Sequence, residues 1–414
     1  MQRYILATRR RALAVGQAAS GPAVTALFQS ATNVEAPASA TEALRIQSFL
    51  ADPSEIAERS RALPAGSILE QAMPYRADPV VVRQGAPHQD GNVSHSAGVA
   101  NAEGHIAAPD GPLGWWHHVL GISRYEPGLG SGIRVGVIDS GCASHPALGH
   151  VVDEGDLLGD GGAPTGAFVG EHGTHVAGLI GARPNENWHF AGVAPGVELH
   201  TARVFKVGND FADQGDIATA IHHLAVNRSC TILNISLTSA FDSQILREAI
   251  GEALSLGAIC VCAAGNTGGN VLFPAAYPET LAVGAVGRTG WPGEAVFAPG
   301  DPAERGALGD YRLYVARFSC FPPPRLDCAA PGVHVISCIP GDSRGRCTDM
   351  SGTSMAAPLV SGALAIMAAN IYETGSYATG AEAAHALRGA LHRSCRLPPG
   401  MRADRIGWGI PFVE

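Results

Sequence analysis

Apolar residues in this chain gather in short, β-branched runs separated by stretches of helical period. IRVGVID (133–139), ELHTARVF (198–205), TILNISL (231–237), AICVCAAG (258–265) and TLAVGAV (280–286) have strand length and strand composition. Between them, HGTHVAGLIGA (172–182), GDIATAIHHLAVN (215–227) and DSQILREAIGEALSLG (242–257) read as helices. Strands apolar on both faces that alternate with helices predict a parallel sheet covered on both sides. Functional groups in such a sheet gather at the carboxyl ends of its strands.

Residues 1–77 carry a different, smaller pattern, that of an α+β unit. YILA (4–7), ALRIQSFL (43–50) and SILEQAMPY (67–75) read as strands, the first as an edge strand over Arg3 to Thr8. AVTALFQSA (23–31) and PSEIAERSRAL (53–63) read as helices, the second with Pro53 in its first turn. Residues 78–112 are rich in Gly, Ala, His, Asp and Asn without period, the composition of an exposed linker. The third segment, 113–414, holds the alternating pattern.

Composition narrows the classes. Hydrophobic residues make up 46% of the 414 and charged residues 16%, enough for a sizeable core. A net charge of −9 argues against nucleic acid and anionic membrane as main partners. No uninterrupted apolar run approaches the ~18 residues of a membrane span. Arg9, Arg10 and Arg11 break up the N-terminal apolar residues, so a strand followed by a polar turn is preferred there to a twin-arginine-like export signal. Nine cysteines cannot all pair within one chain. Cys260 and Cys262 sit in an apolar run, and Cys320, Cys328, Cys338 and Cys347 are too unevenly spaced for a zinc knuckle. A Cys338–Cys347 disulfide fits an exported protein, and reduced thiols a cytoplasmic one; the cytoplasm is the expectation.

The stretch GDSRGRCTDMSGTSMAAP (341–358) offers two candidate nucleophiles. Ser343 fits the G-x-S-x-G pattern of an esterase elbow, which needs a strand before it, a helix after it, and an acid and a histidine later in the chain. RGRCTDM is a poor helix, and the only later histidines, His385 and His392, lie in a helix-like segment. Ser343 therefore reads as a loop serine. Ser354 begins a small, apolar, helical segment, where free N–H groups and the helix dipole favour the negative charge that a serine's attack on a carbonyl creates. Such a serine needs a base, and the base an orienting acid. Asp139 closes one predicted strand and His172 opens one predicted helix.

These residues carry a resemblance. VIDSG…HPAL, EHGTHVAG, AAGN and SGTSMAAPLVSGA resemble the marker segments of the subtilisin-like serine proteases, in the order acid, base, serine. GVAPGVEL (192–199), FPAAYPETLAVGAVG (273–287) and AAPGVHVIS (329–337) resemble the segments between them. The resemblance implies a three-layer subtilisin-like α/β fold, with a mainly parallel sheet between helices and a small N-terminal α+β domain. It implies a serine endopeptidase with Asp139 orienting His172, His172 as base then acid, Ser354 as nucleophile and Asn266 in the oxyanion hole. His175 would be structural. Peptide or protein substrate would pair with Ser236-Leu237-Thr238 and Ala263-Ala264-Gly265. Thr238-Ser239 stands where the family commonly has glycines, which predicts a narrowed pocket. Asp210, Asp213 and Asp216 read as a solvated loop with helix capping by Gly215-Asp216, in preference to a site for basic side chains. No cofactor is expected; Asn185, Glu186 and Asn187 would be the ligands if calcium bound. Residues 1–77 resemble the family's propeptide in size and alternation, which implies an intramolecular inhibitor with its last strand, Met73 to Arg76, in the cleft and self-cleavage in the linker. A peptide macrocyclase would use the same triad but needs a lid, and no large insertion is seen. A silenced protease used as a binding module would lack a triad member, and none is missing.

Overall fold

The computed structural model describes residues 2–9, 32–33, 44–51, 67–77, 112–159, 170–185, 190–206, 211–341, 345–373 and 379–413, with Ile56, Ser60 and Leu63. The predicted helix over 23–31, nearly all of the 78–112 linker and Ser343 lie outside these residues, as does most of the predicted helix over 53–63.

The N-terminal unit is an antiparallel sheet of β1 (Gln2–Arg9), β2 (Thr32–Asn33), β3 (Leu44–Ala51) and β4 (Ile68–Gln71), in the order β2-β3-β1-β4. β1 is therefore an interior strand, pairing β3 on one side and β4 on the other, not the edge strand its sequence suggested. Ile5, Leu6 and Ala7 are buried. The run read as one strand over 67–75 is divided: after β4 the chain leaves the sheet, and β5 (Pro74–Tyr75) pairs with the larger unit.

The larger unit is built on nine strands in one sheet. β6 (Arg134–Asp139), β7 (Val152–Asp153), β8 (Glu198–Arg203), β10 (Ile232–Ile235), β11 (Ile259–Ala263) and β12 (Leu281–Arg288) run parallel in the order β12-β11-β10-β6-β8-β7. β13 (Arg305–Leu308) and β14 (Tyr311–Val315) extend it antiparallel beyond β12, which also pairs β15 (Cys328–Pro331) in parallel. β9 (Ala212–Asp213) pairs only with β5. β16 (Val335–Ile339) and β17 (Arg346–Met350) form a hairpin, so the strand that would have preceded a Ser343 elbow turns back instead of leading into a helix.

Helices cover both faces. α1 (Trp115–Val119), α2 (Glu171–Gly181), α3 (Gln214–His222), α4 (Gln244–Ser255), α5 (Glu294–Phe297), α6 (Thr353–Glu373), α7 (Ala381–Ser394) and α8 (Ala403–Ile406) follow in chain order. α3 and α4 share one apolar cluster with the alternate residues Leu233, Ile235, Cys260 and Cys262 of the strands, while α2 and α6 share the other with Val135, Val137, Val261 and Val283. That division is why the strands read apolar on both faces. α6 is long and apolar enough to cross a membrane, a property missed by scanning for unbroken apolar runs, but 83% of that stretch is buried within the protein as its central helix.

Candidate active site

Asp139, His172 and Ser354 come from the end of β6, the first turn of α2 and the first turn of α6. His172 Nδ1 lies 2.8 Å from Asp139 Oδ1, and Asp139 is 1% exposed. The backbone N–H of Ser140 also donates to that carboxylate oxygen, at 2.7 Å. Ser140 Oγ accepts from the N–H groups of Gly170 and Gly173, tying the strand end to the start of α2. The approach is close: a Cβ on Gly173 would sit 2.2 Å from the Gly141 carbonyl oxygen, so only glycine lets the helix bring His172 to Asp139. With Nδ1 bonded to the carboxylate, His172 presents Nε2, which is buried and without a hydrogen-bond partner among the described residues.

Ser354 Oγ donates to the Ser236 carbonyl at 3.2 Å, and Ser236 Oγ donates to the Ser354 carbonyl at 2.9 Å. Below them, Asn234 Nδ2 donates to Ser236 Oγ, and Ser361 Oγ to Asn234 Oδ1, each at 3.0 Å. This buried chain locks the end of β10 to α6 and fixes the backbone on which Ser354 stands. Ser354 lies in the first helical turn, where N–H groups have no acceptor in their own helix.

Asn266 follows β11. Its Oδ1 accepts from Thr353 N–H at 2.8 Å and from Thr353 Oγ1 at 2.9 Å, so the amide is oriented with its Nδ2 donor on the other side. Thr353 Oγ1 also accepts from Gly265 N–H at 3.1 Å. A Cβ on Gly352 would stand 3.1 Å from Asn266 Nδ2 and 3.6 Å from Ser354 N, which places both donors around one glycine-lined spot. Thr353 is a functional position that sequence reading passed over; the only signal was its place between Gly352 and Ser354.

His175 is the structural histidine expected from its position. Its Nε2 lies 3.1 Å from the Val335 carbonyl and 3.2 Å from that of Thr348, pinning the β16–β17 hairpin to α2. Burial, with a smaller effect from His172, pushes its pKa down to about 3, so it is neutral near pH 7.

The segment expected to bind peptide is occupied by the chain itself. Arg76 and Thr238 exchange both backbone hydrogen bonds at 3.0 Å, and β5 pairs antiparallel with β9. Residues 74–76 are thus flanked by Ala212–Asp213 on one side and Thr238 on the other. Ala264 and Gly265 use their backbone groups inside the protein, with Val283, Leu272, Thr353 and Cys320 as partners. Beside Asn266 a cavity of about 290 Å³ is lined by Thr238, Ser239, Ala240, Phe241, Thr267 and Leu272, with Pro74 and Arg76 at its edge.

Asp213 and Asp216 are not part of a solvated loop. Asp213 is 3% exposed and caps α3 by accepting from the Asp216 N–H at 2.9 Å, the role expected of Gly215-Asp216. Arg3 of β1 reaches Asp213 at 2.9 Å, and Lys206 reaches Asp216 at 2.9 Å. Asp210 lies outside the described residues. So do Glu186 and Asn187 of the suggested calcium loop; Asn185 Nδ2 donates to the Pro146 carbonyl, and no group of three His, Cys, Asp or Glu among the described residues could hold a metal ion.

Residues 130–409 match the model of the subtilase family. The major intracellular serine protease of Bacillus subtilis is 34% identical over 258 residues, which cover 60% of this chain and 71% of that protein. Subtilisin Savinase of Lederbergia lenta is 33% identical over 257 residues, 60% of this chain and 82% of that protein. Fervidolysin from Fervidobacterium pennivorans, described as a keratinolytic enzyme related to subtilisin, superposes with a TM-score of 0.71 at 21% identity, covering 100% of this chain and 60% of its own. That likeness shows the fold. The chain belongs to the subtilase family, and its class of activity is that of a serine-type endopeptidase.

Proposed function

We propose that Ser354, His172 and Asp139 hydrolyse peptide bonds through an acyl-enzyme, and that residues 1–77 hold the site closed as an intramolecular inhibitor. The observation that carries this reading is the Asp139–His172 pair, whose Nε2 has no hydrogen-bond partner among the described residues, together with the antiparallel strand paired with Thr238 and Ala212–Asp213. Ser354 Oγ turns from the Ser236 carbonyl to His172 and gives its proton to Nε2 as it attacks the substrate carbonyl carbon. The oxyanion that forms takes hydrogen bonds from Asn266 Nδ2 and the Ser354 N–H. His172 then passes the proton to the leaving amine, and a water deprotonated by the same nitrogen releases the acyl group. Asp139 stays ionised and holds the imidazole in place.

The N-terminal unit supports the inhibitor reading by its contacts. Glu70 accepts from Ser243 Oγ and from the Gln244 N–H, both at 2.6 Å, covering the start of α4. Gln214 accepts from the Met73 N–H and donates to the Gln71 carbonyl, each at 2.6 Å. We read the compartment as the cytoplasm, from the nine cysteines and from a relative named for an intracellular location. Recovery of an exported, shortened chain from the medium would overturn that reading.

Mass spectrometry of purified wild-type and Ser354→Ala chains after incubation tests the assignment. Loss of about the first 75–112 residues from wild type alone is expected. Identical clipping of both chains would remove Ser354 from the role.

A further inference from the structure

Behind the glycine-lined spot at Gly352 stands a second histidine–aspartate pair. His334 Nδ1 is bonded to Asp349 Oδ2, and neither residue belongs to the triad. Asp349 is 7% exposed, and its other oxygen, Oδ1, is buried with no partner among the described residues. Burial alone would push the Asp349 carboxyl up, but the hydrogen bond and charge of His334 hold it below its ordinary value. His334 has a backbone φ of +47°, a left-handed conformation uncommon for any residue but glycine. Its contacts keep it there. The His334 N–H donates to Ser351 Oγ at 2.9 Å, Trp291 Nε1 donates to the His334 carbonyl at 3.0 Å, and the ring is the one bonded to Asp349.

A strained residue held by its surroundings points to what the strain positions. Here the strained turn meets the loop that carries the nucleophile. The Gly332 carbonyl accepts from the Gly352 N–H at 2.8 Å, so 332 and 334 grip 352 and 351 by two bonds. The β16–β17 hairpin closes beside them, with Val335 opposite Met350. Gly352 in turn lines the spot between Asn266 Nδ2 and the Ser354 N–H, and Thr353 holds the Asn266 oxygen.

We propose that His334 and Asp349 are positioning residues for the oxyanion hole: their bond fixes the turn at 332–334, which through Ser351 and Gly352 sets the two donors. The inference rests on the reading of Ser354 as nucleophile and Asn266 as oxyanion donor. Removing the imidazole strips a buried carboxylate of its bond and leaves the left-handed turn held by backbone alone. A displaced donor weakens the bond to the oxyanion but not the ground-state contacts of the peptide, so the loss falls on kcat.

The test uses the full chain carrying Arg3→Ala and Glu70→Ala, which remove two contacts of the N-terminal unit. Variants are compared on the tetrapeptide p-nitroanilide that this chain turns over fastest in a panel, with active sites counted by a fluorophosphonate. The peptide aldehyde of the same sequence reads the hole directly. Ser354 Oγ bonds to the aldehyde carbon, its proton goes to His172, and the carbonyl oxygen becomes the oxyanion. His334→Gly removes the imidazole yet accepts the left-handed backbone. It is expected to lower kcat and the aldehyde's affinity together, each about 10-fold, with KM little changed. Unchanged kcat and aldehyde affinity would overturn the proposal, as would a rise in KM alone. Ser351→Ala strands no buried charge and so covers the case in which His334→Gly fails to fold. The same paired loss is expected from it, and a fall in Tm without that loss would reduce the clamp to a structural role and overturn the proposal. A Ser354→Ala chain as active as its parent would instead overturn the reading of the nucleophile, and the inference with it.

Discussion

Asn266 is oriented through its oxygen, and the residue that does it is Thr353. Two consequences separate the residues. Replacing Asn266 by Leu removes the donor and is expected to lower kcat by about 10²–10³, the magnitude known for subtilisin, a relative of this chain. Thr353→Val keeps the donor and the backbone N–H to Asn266 Oδ1 but removes the Oγ1 bond, so the amide is held less firmly and kcat should fall about 10-fold with KM little changed. Equal losses in both variants would mean that Thr353 acts on the fold and not through Asn266. His175 has a separate signature, in stability. In the unfolded chain it titrates near the ordinary histidine value, whereas burial keeps it neutral in the folded protein down to about 3. Above about pH 6.5 the group contributes nothing to pH dependence; below it the unfolded state binds a proton that the folded state refuses. Stability from this site is thus lost as pH falls from about 6.5 towards 3, at up to about 1.4 kcal/mol per pH unit. His175→Gln, which still offers an N–H to the Val335 and Thr348 carbonyls, should flatten the fall in Tm between pH 6 and pH 4. An unchanged slope would assign that fall to other groups, such as the buried His117.

The elements that carry the site are joined by close approaches that tolerate no side chain. Gly173→Ala would drive a Cβ to 2.2 Å from the Gly141 carbonyl oxygen, a backbone atom that cannot step aside. Destabilisation of about 1–3 kcal/mol is expected, with His172 drawn away from Asp139. Thermal unfolding and peptidase rate should fall together; a stable, inactive variant would show that α2 moves without strain. Such elements were legible in the sequence wherever burial imposed a period. β6, β8, β10, β11 and β12 are apolar because helices cover both faces, and Asp139 ends the first of those runs while His172 and Ser354 open helices. What local pattern cannot carry is pairing. β1 has the same sequence character whether interior or at an edge, and 67–75 reads as one strand because nothing local records that β4 and β5 have different partners. The bonds of Thr353 to Asn266 and of Glu70 to Ser243 join residues far apart in the chain. Asp213 was misread for a related reason: its polarity suggested solvent, while its burial is made by Arg3 and Lys206 arriving from elsewhere.

At the scale of the molecule, the proposed inhibition is an equilibrium between a docked and an undocked N-terminal unit, and its contacts are few enough to test. Three of its anchors are open to substitution: the buried Tyr75, Glu70 at the first turn of α4, and Arg3 on the Asp213–Asp216 pair. Glu70 meets two kinds of donor at the positive end of a helix, where removing a capping group costs about 0.5–2 kcal/mol. Arg3 is different in kind. Asp213 and Asp216 lie close together, and burial with the Asp213 charge already pushes Asp216 up to about 7. Taking away Arg3 leaves Lys206 alone beside both carboxylates, a buried charge only partly compensated. Since each 1.4 kcal/mol shifts an equilibrium tenfold, Arg3→Ala together with Glu70→Ala should raise the peptidase activity of the full-length chain by about 10–100-fold. Neither residue touches the Asp139–His172 pair or Ser354, so KM and kcat of the undocked enzyme should stay the same once the unit is released. Activity that stays at the wild-type level, with the N-terminal unit shown by limited proteolysis to have come loose, would mean that the strand at 73–77 does not limit access to Ser354.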